Sequence, residues 1–348
     1  MRSVKTRRSV LRRLAAAAVV ASGFGATAPG PARAGDVVRV LLDRQPDGAA
    51  APFFVAQSKG LFRTEKIDVT VEAANGSQDA IERLAHGDAD VAIADFDALI
   101  RFRDGAEAPQ LKAIFIVFNR TPYALVARKS RGVATLADMP GKTLGIAEGD
   151  LAIRLWPAVA KQNGIDLKEV KVERMAAAVR GPMLSAGQVD ATTGLSYGAA
   201  VDLRNRGIPA SDLMVFQFAD YGCDSYGQAA IASPQFLAEH ADAAAAFVRG
   251  LIGGIKLSIK EPGKAIDAVL GQMDGGARDV ELERLKTVLT DNVATAEVKR
   301  SGLGAVDQQR FDASVREIAV DYKFHKTPEM SDIFDPGFLP PDAQRKIN

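Results

Sequence analysis

Residues 134–149 read ATLADMPGKTLGIAEG, and this stretch marks where one strand of the fold begins and ends. A short capped turn over residues 135–139 is broken by Pro140-Gly141. An apolar strand over residues 143–147 follows and ends in a polar loop at residues 148–150. Breaker residues in these places predict a connection into a strand, which is a building unit of an α/β fold.

The chain before this stretch alternates strands and helices in the same way. Short apolar runs predict strands at residues 37–42, 67–71 and 91–94, and apolar residues at helical spacing predict helices at residues 52–62 and 78–85. Strands that alternate with helices of this length indicate a mostly parallel sheet covered on both faces. The sequence therefore predicts the α/β class.

The first 34 residues have the composition of an export signal. They contain seven basic and no acidic residues, and the segment TRRSVLR at residues 6–12 resembles a twin-arginine signal. Ala32-Arg33-Ala34 gives the small-x-small pattern of a cleavage site. We expect cleavage after Ala34 and a periplasmic protein, with the general export route as the alternative. A membrane anchor is disfavoured, because a span needs about 20 apolar residues and glycines and prolines interrupt this run.

The composition of the remaining chain excludes several classes of protein. Removing the seven basic residues of the signal from the 44 in the whole chain leaves 37 basic against 43 acidic residues, a net charge of −6. The basic patch of a nucleic-acid-binding protein is therefore missing, and no nucleic-acid partner is expected. Cys223 is the single cysteine, and the three histidines lie far apart in the sequence. We therefore expect neither a metal site nor a cofactor.

Three further motifs point to a family. Residues 52–62 (PFFVAQSKGLF) form a helix that ends in an apolar-aromatic pair, and residues 84–92 (LAHGDADVA) follow the order helix, glycine, aspartate, strand. Residues 184–191 (LSAGQVDA) repeat the second motif. Together with Pro140-Gly141, these segments resemble the solute-binding proteins of bacterial ABC importers. More narrowly, the chain is similar to the superfamily that binds sulfonates, nitrate, taurine and thiamine-pyrimidine precursors.

The resemblance implies a two-lobed periplasmic binding protein fold of type II, in which a hinge with two crossovers joins two mostly parallel α/β lobes. About 314 residues after the signal exceed what one core usually holds, which agrees with two lobes. The implied division is lobe 1 at residues 35–122 plus 226–335, lobe 2 at residues 123–225, and a C-terminal tail at residues 336–348. The implied partners are a small solute and, transiently, the permease and ATPase subunits of an importer. A monomer is expected.

Candidate site residues lie in loops at the carboxyl ends of strands, where ligands bind in open α/β sheets. Lobe 1 supplies Asp43, Arg44, Phe53, Asn75, Gly76, Ser77, Asp95, Phe96 and Asp97. Lobe 2 and the two crossovers supply Arg120, Glu148, Asp150, Ser196, Tyr197, Tyr221, Asp224 and Tyr226. Some of these residue types have structural alternatives: Ser77, Asp95 and Asp150 also suit helix caps, Tyr226 suits core packing, and Arg120 suits a solvated strand end.

The excess of carboxylates in these loops favours a nitrogen-bearing solute, such as a pyrimidine-type compound. In this hypothesis Asp43 and Asp95 accept hydrogen bonds from the solute, Ser77 and the backbone near Gly76 hold its polar end, and Tyr197 covers it. Anions of the taurine, alkanesulfonate or nitrate type are the alternative. Residues 42–48 resemble the thiamine-pyrimidine branch, although Arg44 stands where that branch commonly has an aromatic residue.

The residues also bear on enzymatic function. Ser196 and Asp95 could suggest hydrolysis, but no histidine lies in a candidate site loop to act as a base. The thiamine-pyrimidine synthases that share this fold use an active-site histidine, a cysteine-rich motif and iron, whereas here Cys223 stands alone. We therefore expect that the chain is not an enzyme. A synthase-like enzyme is the alternative from another functional class.

Overall fold

Two five-stranded sheets organise the chain in a computed structural model that describes residues 36–147 and 149–347. The predicted export signal and the candidate site residue Glu148 lie outside the described residues. Within the described ranges, no helix is long and apolar enough to cross a membrane.

The strands are β1 (Asp36–Leu42), β2 (Ile67–Ala73), β3 (Val91–Asp95), β4 (Lys112–Ile116), β5 (Tyr123–Arg128), β6 (Thr143–Ala147), β7 (Lys171–Met175), β8 (Ala191–Leu195), β9 (Leu213–Gln217) and β10 (Gln228–Ala232). The helices are α1 (Ala51–Ser58), α2 (Leu61–Thr64), α3 (Ser77–Ala85), α4 (Phe96–Arg103), α5 (Ala152–Gln162), α6 (Ala177–Ser185), α7 (Ser196–Asn205), α8 (Pro234–Glu239), α9 (Ala241–Lys260), α10 (Pro262–Leu270), α11 (Arg278–Val288), α12 (Ala296–Ser301), α13 (Gln308–Ile318), α14 (Met330–Ile333) and α15 (Asp342–Arg345).

The first sheet has the order β2-β1-β3-β10-β4, and the second has the order β7-β6-β8-β5-β9. In each sheet, four strands run in one direction and one strand runs against them. The reversed strands are β10 and β5, and each begins where the chain has crossed from one sheet to the other. The prediction of mostly parallel sheets is therefore confirmed, with one antiparallel strand inserted inside each.

The predicted local elements are present with small differences at their ends. Asp138 accepts hydrogen bonds from the N–H and hydroxyl of Thr135 and caps the turn, and Gly141 takes a φ of +78° before β6. The predicted helix at residues 52–62 is two helices, α1 and α2. Gly60 separates them because its φ of +68° leaves the helical region.

The first sheet is covered on both faces, as a mostly parallel sheet requires. Val38, Val40 and Leu42 of β1 lie in one apolar cluster, together with side chains of α1, α9 and α10. Leu41, on the opposite face, lies in a second cluster with side chains of α3, α4 and α13. The division of the chain into lobes stays a prediction. The predicted tail at residues 336–348 contains α15, where Arg345 is buried and donates a 2.8 Å hydrogen bond to the Leu303 carbonyl oxygen.

Helices α1 and α9 pack so closely that the contact requires glycine. A Cβ on Gly254 would lie 2.1 Å from the carbonyl oxygen of Pro52 in α1, and a Cβ on Gly250 would lie 2.4 Å from the ring of Phe62 in the neighbouring α2. Backbone atoms cannot move aside as a flexible side chain can. The α1–α9 contact therefore fixes the covering of one face of the first sheet.

We predict that Gly254→Ala lowers the free energy of unfolding by roughly 1–3 kcal/mol, because overpacking outweighs the better helix propensity of alanine. Gly253→Ala is the matched control in the same helix, since its Cβ would meet only the flexible end of Leu61 at 3.0 Å. Urea denaturation measures both variants. Equal stability of the two variants would contradict the close contact at Gly254.

Candidate ligand-binding site

Asp43, the residue after β1, carries a carboxylate that is 2% exposed at the carboxyl end of the first sheet. It accepts four hydrogen bonds: from the Ser77 hydroxyl at 2.8 Å, from Gln228 Nε2 at 2.7 Å, and from Arg44 Nε and Nη2 at 2.9 and 2.8 Å. A carboxylate offers about four lone-pair sites, so protein donors fill this one. These donors compensate the burial of its charge.

Arg44 links the two sheets. Its Nη1 donates a 3.0 Å hydrogen bond to the hydroxyl of Tyr197, which lies in the first turn of α7 after the second sheet. Tyr197 is buried and packs edge-on against Phe118, with ring centroids 6.4 Å apart. About a third of the Arg44 side chain, 33%, remains exposed. The predicted residues Asp43, Arg44, Ser77 and Tyr197 therefore lie together.

Asp95 extends this cluster and also caps α4. One of its carboxylate oxygens accepts the Ala98 N–H at 2.9 Å, and the other accepts the Tyr123 hydroxyl at 3.0 Å. Its own N–H donates to the Ser77 hydroxyl at 3.0 Å. Burial raises the pKa of Asp95 to about 6, and the charge of Asp43 adds to the rise. We call Asp43, Arg44, Ser77, Asp95, Tyr123 and Gln228 the Asp43 network.

Asp97 lies with the second crossover rather than with Asp43. Burial raises its pKa well above the usual range, and the charges of Asp95 and Glu317 contribute. Glu317 in α13 holds this crossover, because its carboxylate accepts the Asp224 N–H at 2.7 Å and the Ser225 hydroxyl at 3.1 Å. This position makes Asp97 part of the packing between α4 and the crossover.

Asp150 occupies the corresponding end of the second sheet. It accepts the Ala152 N–H at the start of α5 at 2.9 Å, and it also pairs with Arg180 Nη1 at 2.6 Å. The hydroxyl of Thr193 donates to the same carboxylate. Ser196, at the start of α7, is buried. Asp150 is therefore both a helix cap and the partner of an arginine that the sequence argument did not single out.

Arg310 in α13 holds both crossovers. Its Nε donates to the carbonyl oxygen of Asp224 at 2.7 Å, and its Nη2 donates to the carbonyl oxygen of Asn119 at 2.5 Å. Its Nη1 pairs with Glu297 at 2.8 Å, and its guanidinium lies 4.0 Å from the ring centroid of Tyr226. The predicted residues Asp224 and Tyr226 thus contact Arg310 at the second crossover and are not part of the Asp43 network.

The remaining predicted residues have local roles. Arg120 pairs with Asp220 at 2.5 Å beside the crossovers, and Tyr221 packs edge-on against Phe216. Phe96 is fully buried. The N–H of Asn75 donates to Asp79, and the N–H of Gly76 donates to the carbonyl oxygen of Asp43 at 2.8 Å. Gly76 therefore supports the loop after β1 through its backbone, while Arg120, Tyr221 and Phe96 are not brought to the Asp43 network.

A small cavity adjoins the Asp43 network. Its volume is about 20 Å³, and its lining includes Asp43, Arg44, Phe53, Tyr197 and Gln228. This volume holds about one water molecule. A solute of the size of a ring compound therefore requires Arg44 or Tyr197 to move, or the two sheets to separate.

Ion pairs between α7 and α11 also join the two sheets. Arg284 pairs with Asp202, and Arg204 pairs with Glu283. Arg284 further contacts Glu281 at 2.6 Å, and the buried carboxylate of Glu281 accepts the Gly48 N–H at 2.8 Å. These contacts and the Arg44–Tyr197 bond join the part of the chain around the first sheet to the part around the second. Across the described ranges, no group of three or more histidine, cysteine, aspartate or glutamate side chains is arranged to hold a metal ion.

Comparison with known proteins identifies the family. A family profile described as NMT1/THI5 like matches residues 48–265, which is more than half of the chain. The chain belongs to the NMT1/THI5-like family. This result confirms the resemblance to the thiamine-pyrimidine branch that the sequence indicates.

Relatives of this NMT1/THI5-like chain have several functions in their names. A 4-amino-5-hydroxymethyl-2-methylpyrimidine phosphate synthase of Uromyces fabae is 27% identical over 239 residues, 65% of this chain and 68% of that protein. The riboflavin-binding protein RibY of Chloroflexus aurantiacus is 24% identical over 67% of this chain and 65% of that protein. A formylaminopyrimidine-binding protein of Halalkalibacterium halodurans is 23% identical over 73% and 77%. The chain thus spans about two thirds of the length of the first two relatives.

Solved structures confirm the fold. The periplasmic aliphatic sulphonate binding protein SsuA of Escherichia coli superposes with a TM-score of 0.69 at 14% identity, over 88% of this chain and 94% of that chain. The periplasmic nitrate-binding protein NrtA of Synechocystis superposes with a TM-score of 0.61 at 10% identity, over 82% and 85%. The predicted periplasmic binding protein fold is therefore correct.

The expectation from the sequence that the chain is not an enzyme is contradicted by relatives that are named as enzymes. Besides the Uromyces fabae protein, a Schizosaccharomyces pombe protein named as the same synthase is 23% identical over 220 residues. The expectation rested on the absence of a suitable histidine and of a cysteine-rich motif. The relatives named as enzymes overturn that expectation.

The pKa of Asp95 predicts a pH-dependent stability. Because its pKa is about 6 in the folded protein and about 4 in the unfolded chain, the folded state keeps a proton that the unfolded state releases. The resulting stabilisation is present below pH 4 and is lost as the pH rises through 6. As the pH rises from 4 to 7, the free energy of unfolding of Asp95→Asn should therefore increase by about 3 kcal/mol relative to that of the wild type, measured by urea denaturation.

Asp212→Asn is the control of opposite sign. The Ser130 N–H and the Arg128 guanidinium lower the pKa of Asp212 to about 2, so its stabilisation is present above pH 4 and is lost as the pH falls through 2. Asp212→Asn should therefore have a lower free energy of unfolding than the wild type at pH 7. A pH profile of Asp95→Asn that parallels the wild type would contradict the raised pKa of Asp95.

Proposed function

We propose that this chain is the substrate-binding component of an ABC importer, which captures a small solute between two lobes and delivers it to a membrane permease. The observation that carries the proposal is the hydrogen bond from Arg44 to Tyr197, which joins the two sheets at the Asp43 network. Ligands of open α/β sheets bind at this end of the strands. The fold of sulfonate- and nitrate-binding proteins supports the same role.

The proposed lobes are residues 35–122 plus 226–335 and residues 123–225, and they open and close about the two crossovers. Hinge motions of this kind turn on a few residues at element ends. The clamp of Arg310 on both crossovers supports this placement of the hinge. We further propose that the protein acts as a monomer, and that it docks transiently on the permease, which works with an ATPase subunit.

The proposed solute is a small nitrogen-containing ring compound of pyrimidine type. Relatives named as binding formylaminopyrimidine and riboflavin support this choice. The proposed contacts are the Asp43 network, Phe53 and Tyr197. Taurine, alkanesulfonates and nitrate remain the alternative solutes, since proteins named for sulfonate and nitrate binding share the fold.

A second candidate function is the synthesis of a pyrimidine phosphate. The names of the relatives from Uromyces fabae and Schizosaccharomyces pombe favour it. Binding and synthesis differ in the fate of the small molecule. A binding protein releases the compound unchanged, whereas a synthase yields a phosphorylated pyrimidine that mass spectrometry detects.

One prediction of this proposal concerns export. The arginine pair and the Ala32-Arg33-Ala34 pattern predict a mature periplasmic protein that begins at Gly35. Intact-mass analysis of the periplasmic fraction should show the chain without its first 34 residues. Replacement of Arg7 and Arg8 by lysine is the control, because it should block a twin-arginine route but not the general one. Full-length protein retained in the membrane fraction would contradict the proposal.

Another prediction of this proposal concerns solute binding. A cognate solute at a hundredfold excess over its dissociation constant should stabilise the protein by about 2.7 kcal/mol. Melting curves with pyrimidines, riboflavin, taurine, alkanesulfonates and nitrate identify the class of solute. Tyr197→Phe, which removes the hydroxyl that Arg44 contacts, should shift the solute-free protein towards an open, larger form in solution scattering. Unchanged melting with every solute and an unchanged radius in the variant would argue against a binding protein.

A further inference from the structure

We propose that Arg44 recognises the solute, and that the solute is a small neutral ring compound with a carbonyl oxygen on the edge that faces Arg44. The inference rests on the proposed solute-binding function and names the chemistry of the bound compound. It replaces the hypothesis that Asp43 accepts hydrogen bonds from a nitrogen-bearing solute.

The first step is the state of Asp43. Its two oxygens already accept four hydrogen bonds from Arg44, Ser77 and Gln228. About four lone-pair sites are all that a carboxylate has, so a solute donor finds no free acceptor there. Asp43 is therefore a positioning residue. Its two bonds to Nε and Nη2 fix the plane of the Arg44 guanidinium.

The second step is the state of Arg44. A guanidinium has five N–H donors, and Arg44 uses three of them, two to Asp43 and one to Tyr197. The other two form no hydrogen bond within the described residues. The side chain is 33% exposed and lines the cavity beside the Asp43 network. A ring compound that enters this place when the two sheets separate thus meets oriented donors, which select hydrogen-bond acceptors.

The third step is the charge around Arg44. Its one positive charge faces the carboxylates of Asp43 and Asp47, and it also acts on Asp95. The charge of Arg284 also acts on Asp47, and Glu281, which pairs with Arg284, partly neutralises it. An anionic solute would add a further negative charge to this group, and like charges out of water repel strongly. A neutral carbonyl oxygen accepts from the guanidinium without that cost.

The experiment uses three probes built on one ring. Uracil is neutral and carries two carbonyl groups, 2,4-diaminopyrimidine carries amino groups in their place, and orotate is uracil with an added carboxylate. Riboflavin, taurine and nitrate complete the set. Isothermal titration at pH 8.5 measures each probe against the wild type, Arg44→Gln and Arg44→Lys. Lysine keeps the charge opposite Asp43 but lacks the planar fork, so this variant is expected to fold.

Arg249→Gln is the matched control. Arg249 in α9 also forms an ion pair with a carboxylate, Glu65 at 2.7 Å, but it does not line the cavity. We expect uracil or riboflavin to bind the wild type more tightly than 2,4-diaminopyrimidine, orotate, taurine and nitrate. Both Arg44 variants should weaken that binding roughly ten- to a hundredfold, whereas Arg249→Gln should leave it unchanged.

Two results would overturn the inference while leaving the binding function intact. One is tighter binding of 2,4-diaminopyrimidine or of an anion than of both carbonyl probes. The other is unchanged affinity for the carbonyl probe in a folded Arg44→Lys variant. If the folded wild type binds no probe, the solute-binding function fails, and the inference fails with it.

Discussion

The hydrogen-bonded carboxylate of Asp43 is the contact on which the rest of the site depends. It lies almost completely out of water, so the loss of its partners would leave a buried charge at a cost of about 3–5 kcal/mol. Its donors come from the loop after β1, from α3 and from β10, which are distant in sequence. By holding the Arg44 guanidinium in one orientation, it also determines the contact to Tyr197. The Asp43 carboxylate therefore connects three elements of the first sheet with the contact to the second sheet.

The contacts between the sheets differ from those at the crossovers, and this difference suits a protein that opens. The Arg204–Glu283 pair is partly exposed, with side chains 35% and 47% accessible, and such pairs contribute only about 0–1 kcal/mol. At the crossovers, by contrast, Arg310 binds two backbone carbonyl oxygens and an aromatic face. This exposed pair is therefore weaker than the contacts at the crossovers, as the proposed opening about the crossovers requires.

The local elements could be predicted from the sequence because apolar runs and breaker residues act over short distances. Asp43, Ser77 and Asp95 could be grouped for the same reason, since each ends a strand or begins a helix at one edge of the sheet. Gln228 and Tyr123 could not be found in this way. Each begins a strand that follows a crossover, and the antiparallel insertion of those strands depends on tertiary packing. The sequence carries no short-range signal for it.

The hypothesis about the solute shows what a count of charges leaves out. Carboxylates outnumber arginines in the site loops, which favoured a solute that donates hydrogen bonds. The structure shows that the lone pairs of Asp43 are occupied, and that Asp95 accepts from a backbone N–H and a tyrosine hydroxyl. A carboxylate whose lone pairs are all filled, as those of Asp43 are, contributes its electric field but no free acceptor. Asp150 likewise orients an arginine, Arg180, at the end of the second sheet. At Asp43, the group left for the proposed contact with a solute is therefore the donor that it holds in place, the Arg44 guanidinium.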